Sequence, residues 1–219
     1  MIDKTFITGA DSTHEIYLKW WLRNFREHNK DAHVTICDFG LTSKAHEWIK
    51  ENADWVVRYK PHSTSAWFYK TQVLIDSIYD YSCWIDVDCQ VLAPIEDIFE
   101  YAKDDKIGLT IDKGRKSDHN QVWWATGVNV IKGKPQILYD WHEQLKRTKQ
   151  RGDQEALHEI MLDNPSRNSD IVLMPAEYQW LRVQLLKGED IPNKKIIHWT
   201  GNTGKNHIEE NLMISKDFF

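Results

Sequence analysis

The chain has 219 residues, with 28 basic and 33 acidic side chains and a formal charge of −5. That length suits one domain with a sizeable core. The mild acidity speaks against broad nucleic-acid binding and leaves only a local basic patch as a route to it. No run approaches the ~18 apolar residues of a membrane span, and Met1-Ile2-Asp3-Lys4 leads into its short apolar run without a secretory signal pattern. Three cysteines, Cys37, Cys83 and Cys89, are odd in number and lack metal-ligand spacing. Reduced, buried thiols in a cytoplasmic protein are the expectation. Eleven tryptophans is a high count; indole stacks on sugar rings, but most tryptophans belong to cores.

In chain order, residues 4–8 read as a first strand, followed by Thr8-Gly9-Ala10-Asp11 at its end. A helix is predicted over 14–27, with Ser12 and Glu15 as a capping box and Leu18, Trp21, Leu22 and Phe25 as its apolar stripe. A second strand spans 33–38, Gly40 marks a turn, a second helix covers 43–51, and a third strand 55–59. After a polar loop at 61–65, a third helix over 66–78 carries Trp67, Thr71, Leu74, Ile75 and Ile78 on one face. Lys70 stands at the edge of that face, either as an ordinary snorkelling lysine or reaching a phosphate.

The next stretch, Cys83-Trp84-Ile85-Asp86-Val87-Asp88, reads as a strand ending in two acids. Side-chain alternation puts Trp84, Asp86 and Asp88 on one face, the carboxylates about 7 Å apart along the backbone. Such a pair repels unless a cation lies between them, and carboxylate oxygens select Mg²⁺ or Mn²⁺. The alternative for each aspartate is a turn or cap.

The first half therefore reads β-α-β-α-β-α-β, a parallel sheet with helices on both faces. Ligands in such sheets sit beyond the strand C-termini, where Asp86, Asp88 and the loop 8–11 share one end.

The second half is less regular. Strands are predicted at 107–111, 123–131, 171–174 and 196–198, and helices at 136–149 and 153–162. The segment 113–120 is a polar loop whose basic Lys113-Gly114-Arg115-Lys116 is a solvated face or the one hint of nucleic acid. In Ala125-Thr126-Gly127-Val128, Gly127 marks either a bulge or a close backbone approach by a ligand. Asp153 is placed to cap a helix, or with Gln154 to bond sugar hydroxyls. The strand 196–198 delivers His198, a structural histidine or a third metal ligand. It precedes a glycine-rich loop in which Gly201 and Lys205 suit phosphate.

Taken in order, Thr8-Gly9-Ala10-Asp11, Trp84-Ile85-Asp86-Val87-Asp88, Ala125-Thr126-Gly127-Val128, Asp153-Gln154 and His198 with Gly201 and Lys205 resemble nucleotide-sugar glycosyltransferases of the GT-A fold. The nearest likeness is to family 8, the glycogenin and lipopolysaccharide galactosyltransferase type, and its relatives. The chain departs from the family tail: one further residue separates Gly201 from Lys205, and Asn206-His207 stands where the family has Pro-Trp.

The resemblance implies a single α/β domain over 1–219 with a mixed central sheet flanked by helices. Residues 1–92 would form its nucleotide-binding half and 93–219 its donor-sugar and acceptor half. It implies that Asp86, Asp88 and His198 hold Mn²⁺ or Mg²⁺, and that Asp86 thereby meets the nucleotide. Thr8, Ala10 and Asp11 would line the base and ribose pocket. Lys205 and Lys70 would touch the diphosphate, Gly201 lie beside it, Thr126 and Gly127 flank the donor sugar, and Asp153 and Gln154 stand near the anomeric carbon.

The implied reaction moves a hexose from a nucleoside-diphosphate sugar, UDP by default, to a glycan, a protein or, less in keeping with the charge, a nucleic acid. Retention of configuration would have Gln154 steady the cationic sugar; inversion would make Asp153 the general base. Alternatives on the same fold are a sugar-phosphate nucleotidylyltransferase, which carries a longer basic Gly-rich loop than Thr8-Gly9-Ala10-Asp11, and a non-catalytic carbohydrate-binding protein.

Overall fold

The computed structural model describes residues 3–60, 68–114, 122–149 and 152–215, with side chains of the last two left aside. The expected loop 61–65, the start of the third helix with Trp67, and Arg115 and Lys116 of the basic loop lie outside those residues.

Strands β1 (Lys4–Ala10), β2 (Val34–Asp38), β3 (Trp55–Arg58) and β4 (Tyr81–Ile85) alternate with helices α1 (Ile16–His28), α2 (Ser43–Asn52) and α3 (Tyr69–Asp76). They form the parallel half of a seven-stranded sheet in the order β3-β2-β1-β4-β7-β6-β8. The remaining members are β6 (Ile107–Ile111), β7 (Trp124–Lys132) and β8 (Ile171–Leu173). β7 runs antiparallel to both β4 and β6, so the sheet is mixed, as expected. Helices α4 (Gln136–Arg147) and α5 (Asp153–Asp163) follow β7.

Alternation along the strands feeds two apolar layers. Phe6, Cys83 and Ile85 join α1 on one face, with Trp20, Trp21 and Phe25. Ile7, Trp84 and Leu109 meet α3, α4 and α5 on the other, around Trp141 and Leu157. Trp20, Trp21, Trp84, Trp124, Trp141 and Trp180 are all buried, so six of the eleven tryptophans serve the core, while Trp55 is half exposed.

A second, three-stranded sheet was not foreseen as such. β5 (Cys89–Val91), β9 (Trp180–Leu181) and β10 (Ile196–His198) pair in the order β5-β10-β9, and short α6 (Arg182–Leu186) follows β9. This sheet ties the segment after β4 to the end of the chain.

Four local expectations are corrected. Ser12 and Glu15 do not form a capping box: Glu15 reaches across to accept from the Thr42 amide and hydroxyl, each at 2.8 Å, and α1 begins only at Ile16. Ile78 is 77% exposed because α3 ends at Asp76. The segment after His198 is not a glycine-rich loop but the opening of helix α7 (Gly201–Ser215). A fourth concerns Gly127: the break in its strand that a glycine there suggests is absent, since β7 is continuous through it, while the bulge reading holds, because Gly127 lies where the β6–β7 register shifts between Ala125 and Val130.

Candidate functional site

The two acids do not sit on a strand. β4 ends at Ile85, and 86–88 is a turn closed by the Cys89 amide donating to the Asp86 carbonyl at 2.9 Å. The turn still brings each carboxylate toward His198, because both its ends are anchored. The Asp86 amide donates to the Gly127 carbonyl of β7 at 2.8 Å, and the Trp199 amide to the Asp88 carbonyl at 2.9 Å. Through the second bond the end of β10 is drawn to the acidic turn. His198 Nε2 lies 3.2 Å from Asp88 Oδ1 and 3.9 Å from Asp86 Oδ2.

Two residues support this trio from behind. Gln179 accepts from the Val128 amide at 2.9 Å through Oε1 and lies 3.0 Å from His198 Nδ1 through Nε2, which fixes the ring. Gly127 leaves the space: a Cβ there would stand 2.6 Å from the His198 ring and 2.7 Å from the Gln179 amide. Gly127 is thus a positioning residue for His198, and it does not line the cleft where the donor sugar was expected. Gly127→Ala should displace the imidazole or the amide. We expect a cost of about 1–3 kcal/mol from overpacking, read by a thermal melt.

Lys70 is the largest surprise. It is not at a helix edge but fully buried. Its ammonium donates to Asp153 Oδ2 at 2.6 Å and the Thr126 carbonyl at 2.9 Å, and pairs with Asp86 Oδ1 at 3.0 Å. With three acceptors, its three donors are used inside the protein, so the expected reach to a diphosphate is not what the structure builds. Burial pushes its pKa down, yet the two carboxylates outweigh that and hold it above the usual lysine value. Asp153 opens α5 after Gly152 and spends its carboxylate on Lys70 rather than on capping. Asp86 Oδ1 also accepts from Trp84 Nε1 at 2.6 Å, which leaves Oδ2 toward His198.

Environment separates the two acids. Burial pushes Asp86 above the ordinary carboxylate range, with Lys70 and His198 opposing it. At Asp88 burial acts the same way, but His198 and Lys205 prevail and hold it below that range. His198 itself is raised: burial works downward, and Asp88 and then Asp86 overcome it.

These groups border one open cleft of about 370 Å³ beyond the C-terminal ends of β1 and β4. Of the residues singled out in the sequence, Ala10, Asp86, Asp88, Thr126, Asp153, Gln154, His198, Gly201 and Lys205 line it. Gly201 has φ +74°, a conformation that favours glycine.

Thr8 and Asp11 do not line the cleft. Thr8 is wholly buried inside β1. Asp11 is spent on a local turn, accepting from the Thr13 and His14 amides at 3.0 and 3.1 Å. His14 takes the cleft position instead, its ring held between Asp11 Oδ1 at 2.9 Å and Lys205 Nζ at 3.0 Å. Phe39 and Trp84 complete the apolar wall. Of these, neither His14 nor Phe39 was marked as a site residue, because their place depends on long-range packing. Gln154 Nε2 donates to Asp112 Oδ2 at 2.7 Å, leaving the amide oxygen for the cleft.

The donor set fits a divalent cation: the His198 imidazole nitrogen stands within 4 Å of a carboxylate oxygen of Asp86 and of Asp88 at a cleft lip. Among the described residues no helix is long and apolar enough to cross a membrane, and all three cysteines are free and buried.

No protein-family model matches the sequence, and no curated protein does. Solved structures do match. The galactosyltransferase LgtC, crystallised with donor and acceptor sugar analogues, aligns with a TM-score of 0.70 at 14% identity, over 98% of this chain and 96% of that one. GlyE of Streptococcus pneumoniae TIGR4, a glycosyltransferase, aligns at 0.67 and 12% identity, over 100% of this chain and 65% of its own. The bifunctional glycosyltransferase WbbM aligns at 0.64 and 11%, over 90% of this chain and 46% of its own. The likeness at these identities is one of fold: the chain takes the GT-A-like glycosyltransferase fold that its spaced motifs resemble.

Proposed function

We propose that this protein is a metal-dependent glycosyltransferase that moves a hexose from a nucleoside-diphosphate sugar, with uridine as the base, to a sugar-bearing acceptor, with retention of configuration. One observation supports it above the others: Asp86, Asp88 and His198 meet at the lip of a cleft at the strand C-termini, within a fold shared with solved glycosyltransferases. Asp86, Asp88 and His198 would hold Mn²⁺ or Mg²⁺, which when bound supplies Lewis-acid neutralisation of the diphosphate leaving group.

The chain's own residues take the other roles. Lys205, steadied by His14, adds positive charge on the nucleotide side of the cleft. Ala10, Phe39 and Trp84 offer an apolar wall to base and ribose. Thr126 lies beside the donor sugar.

Asp153 has one oxygen tied to buried Lys70, which suits a carboxylate that orients hydroxyls more than one that takes a proton. That favours retention over inversion. Gln154, its amide nitrogen held by Asp112, turns its oxygen dipole toward the sugar, where positive charge develops as the bond to phosphate breaks.

The test is a thermal melt with uridine diphosphate. Stabilisation by the nucleotide should be several-fold larger with Mn²⁺ than with chelator. Equal shifts in both conditions would take the cation out of the mechanism, and no shift in either would remove the nucleotide.

A further inference from the structure

Cys89 is the first residue of β5 and stands opposite His198 across the antiparallel β5–β10 ladder. Directly opposed residues in such a pair send their side chains to the same face, with Cβ atoms about 4.5–5.5 Å apart. One ligand atom each from Asp88, Cys89 and His198 therefore lies within 4.8 Å of the others. The thiol is fully buried. The polar contact recorded for its sulfur is the Gly127 carbonyl at 4.0 Å, long even for a thiol donor. Cys37 and Cys83 lie away from this point, in β2 and β4 of the large sheet. Asp88 and His198 border the cleft, and Cys89 stands beside them as part of the buried core.

We propose that Asp88, Cys89 and His198 form a soft cation site, suited to zinc or cobalt, that overlaps the carboxylate-rich site of Asp86, Asp88 and His198. The inference rests on the cation site proposed above and adds to it a sulfur ligand that decides which ions the site prefers. Ligands held ~2.0–2.3 Å from a tetrahedral zinc stand about 3.5 Å apart, so the three groups need to close by only about 1 Å. A hard ion draws the two carboxylates, and a soft ion draws sulfur and nitrogen. Because both sites use Asp88 and His198, occupation is exclusive, and zinc displaces Mn²⁺ rather than joining it. When the soft ion binds, the S–H bond breaks, a sulfur–metal bond forms, and one proton passes to the buffer.

The experiment titrates Co²⁺ into the metal-stripped, reduced 219-residue chain and follows near-ultraviolet absorption. A sulfur-to-cobalt charge-transfer band is expected for the wild type. It should vanish in Cys89→Ala and Cys89→Ser, with zinc affinity down at least about tenfold in both. X-ray absorption of the zinc-loaded wild type should find one sulfur neighbour, a result that does not depend on either variant folding. Cobalt binding without the band, or zinc without a sulfur neighbour, would overturn the inference and leave the carboxylate site standing. Failure of cobalt, zinc and manganese alike to bind would overturn both.

Discussion

Asp88→Asn is expected to lower nucleotide-sugar turnover by at least about 10²-fold while the melting temperature moves by only a few degrees. Asn keeps the shape and the backbone of the turn. The bond from the Trp199 amide to the residue-88 carbonyl, which tethers β10, needs no side chain. What the substitution removes is the negative charge facing His198 Nε2 at 3.2 Å.

The stability cost follows from the direction of the shift. Asp88 is held below its usual range, so its contribution is present above the ordinary carboxylate pKa and is lost as pH falls through the lowered value. At neutral pH the variant gives up that contribution, about 1 kcal/mol for a part-exposed ion pair, or roughly 2–4 °C in a chain of this size. Calorimetric Mn²⁺ titration and donor turnover are the two measurements, and near-normal values of both would remove Asp88 from the reaction.

How much of this was readable beforehand depended on the range of the interactions. The β-α alternation of the first half and five of the helices follow from local periodicity, which the strands and α1 display over many residues; the alternation by itself implies a parallel sheet, and only the family resemblance implies a mixed one. The acidic pair and His198 could be named because each ends an apolar run. Their meeting, however, depends on β10, which is legible as 196–198, pairing with β5, a strand of three residues too short to carry a pattern of its own.

Lys70 shows the same limit from the other side. A charged residue beside an apolar helical stripe reads as a snorkelling lysine. Only the register that brings Asp86 from the β4 end and Asp153 from α5 to the same point makes burial tolerable. Glu15 was misread for a related reason: its partner is Thr42, 27 residues away, and a local capping rule does not see it. Gln179 left no sequence signal at all, since an amide just ahead of a two-residue strand looks like any loop residue. Asp11, by contrast, follows an ordinary turn rule, where the family resemblance alone implies a place at the base and ribose.

Lys70→Met carries the largest stability effect expected for a single substitution here. Methionine matches the length of the stem but has no charge, so Asp86 and Asp153 are left facing each other with a buried gap between them. Removing one partner of a buried ionic cluster costs about 3–5 kcal/mol, which corresponds to a fall in melting temperature of roughly 6–20 °C. Two further readouts separate this cause from a generic packing defect.

The first is pH. Asp86 is already pushed upward by burial, and Lys70 is the leading charge that opposes the push; without it the carboxyl rises further. A group whose folded-state pKa is raised favours the folded state as pH falls, so the deficit should be smaller at pH 5 than at pH 8. The second readout is a double substitution. Adding Asp153→Asn removes one of the two orphaned charges, so Lys70→Met/Asp153→Asn should be more stable than Lys70→Met by about 1 kcal/mol or more, the positive coupling of groups that act as one cluster. A Lys70→Met protein that melts within a degree or two of the wild type, at either pH, would mean that the ammonium does not hold these carboxylates together, and the assignment of Asp153 as a fixed orienting group would go with it.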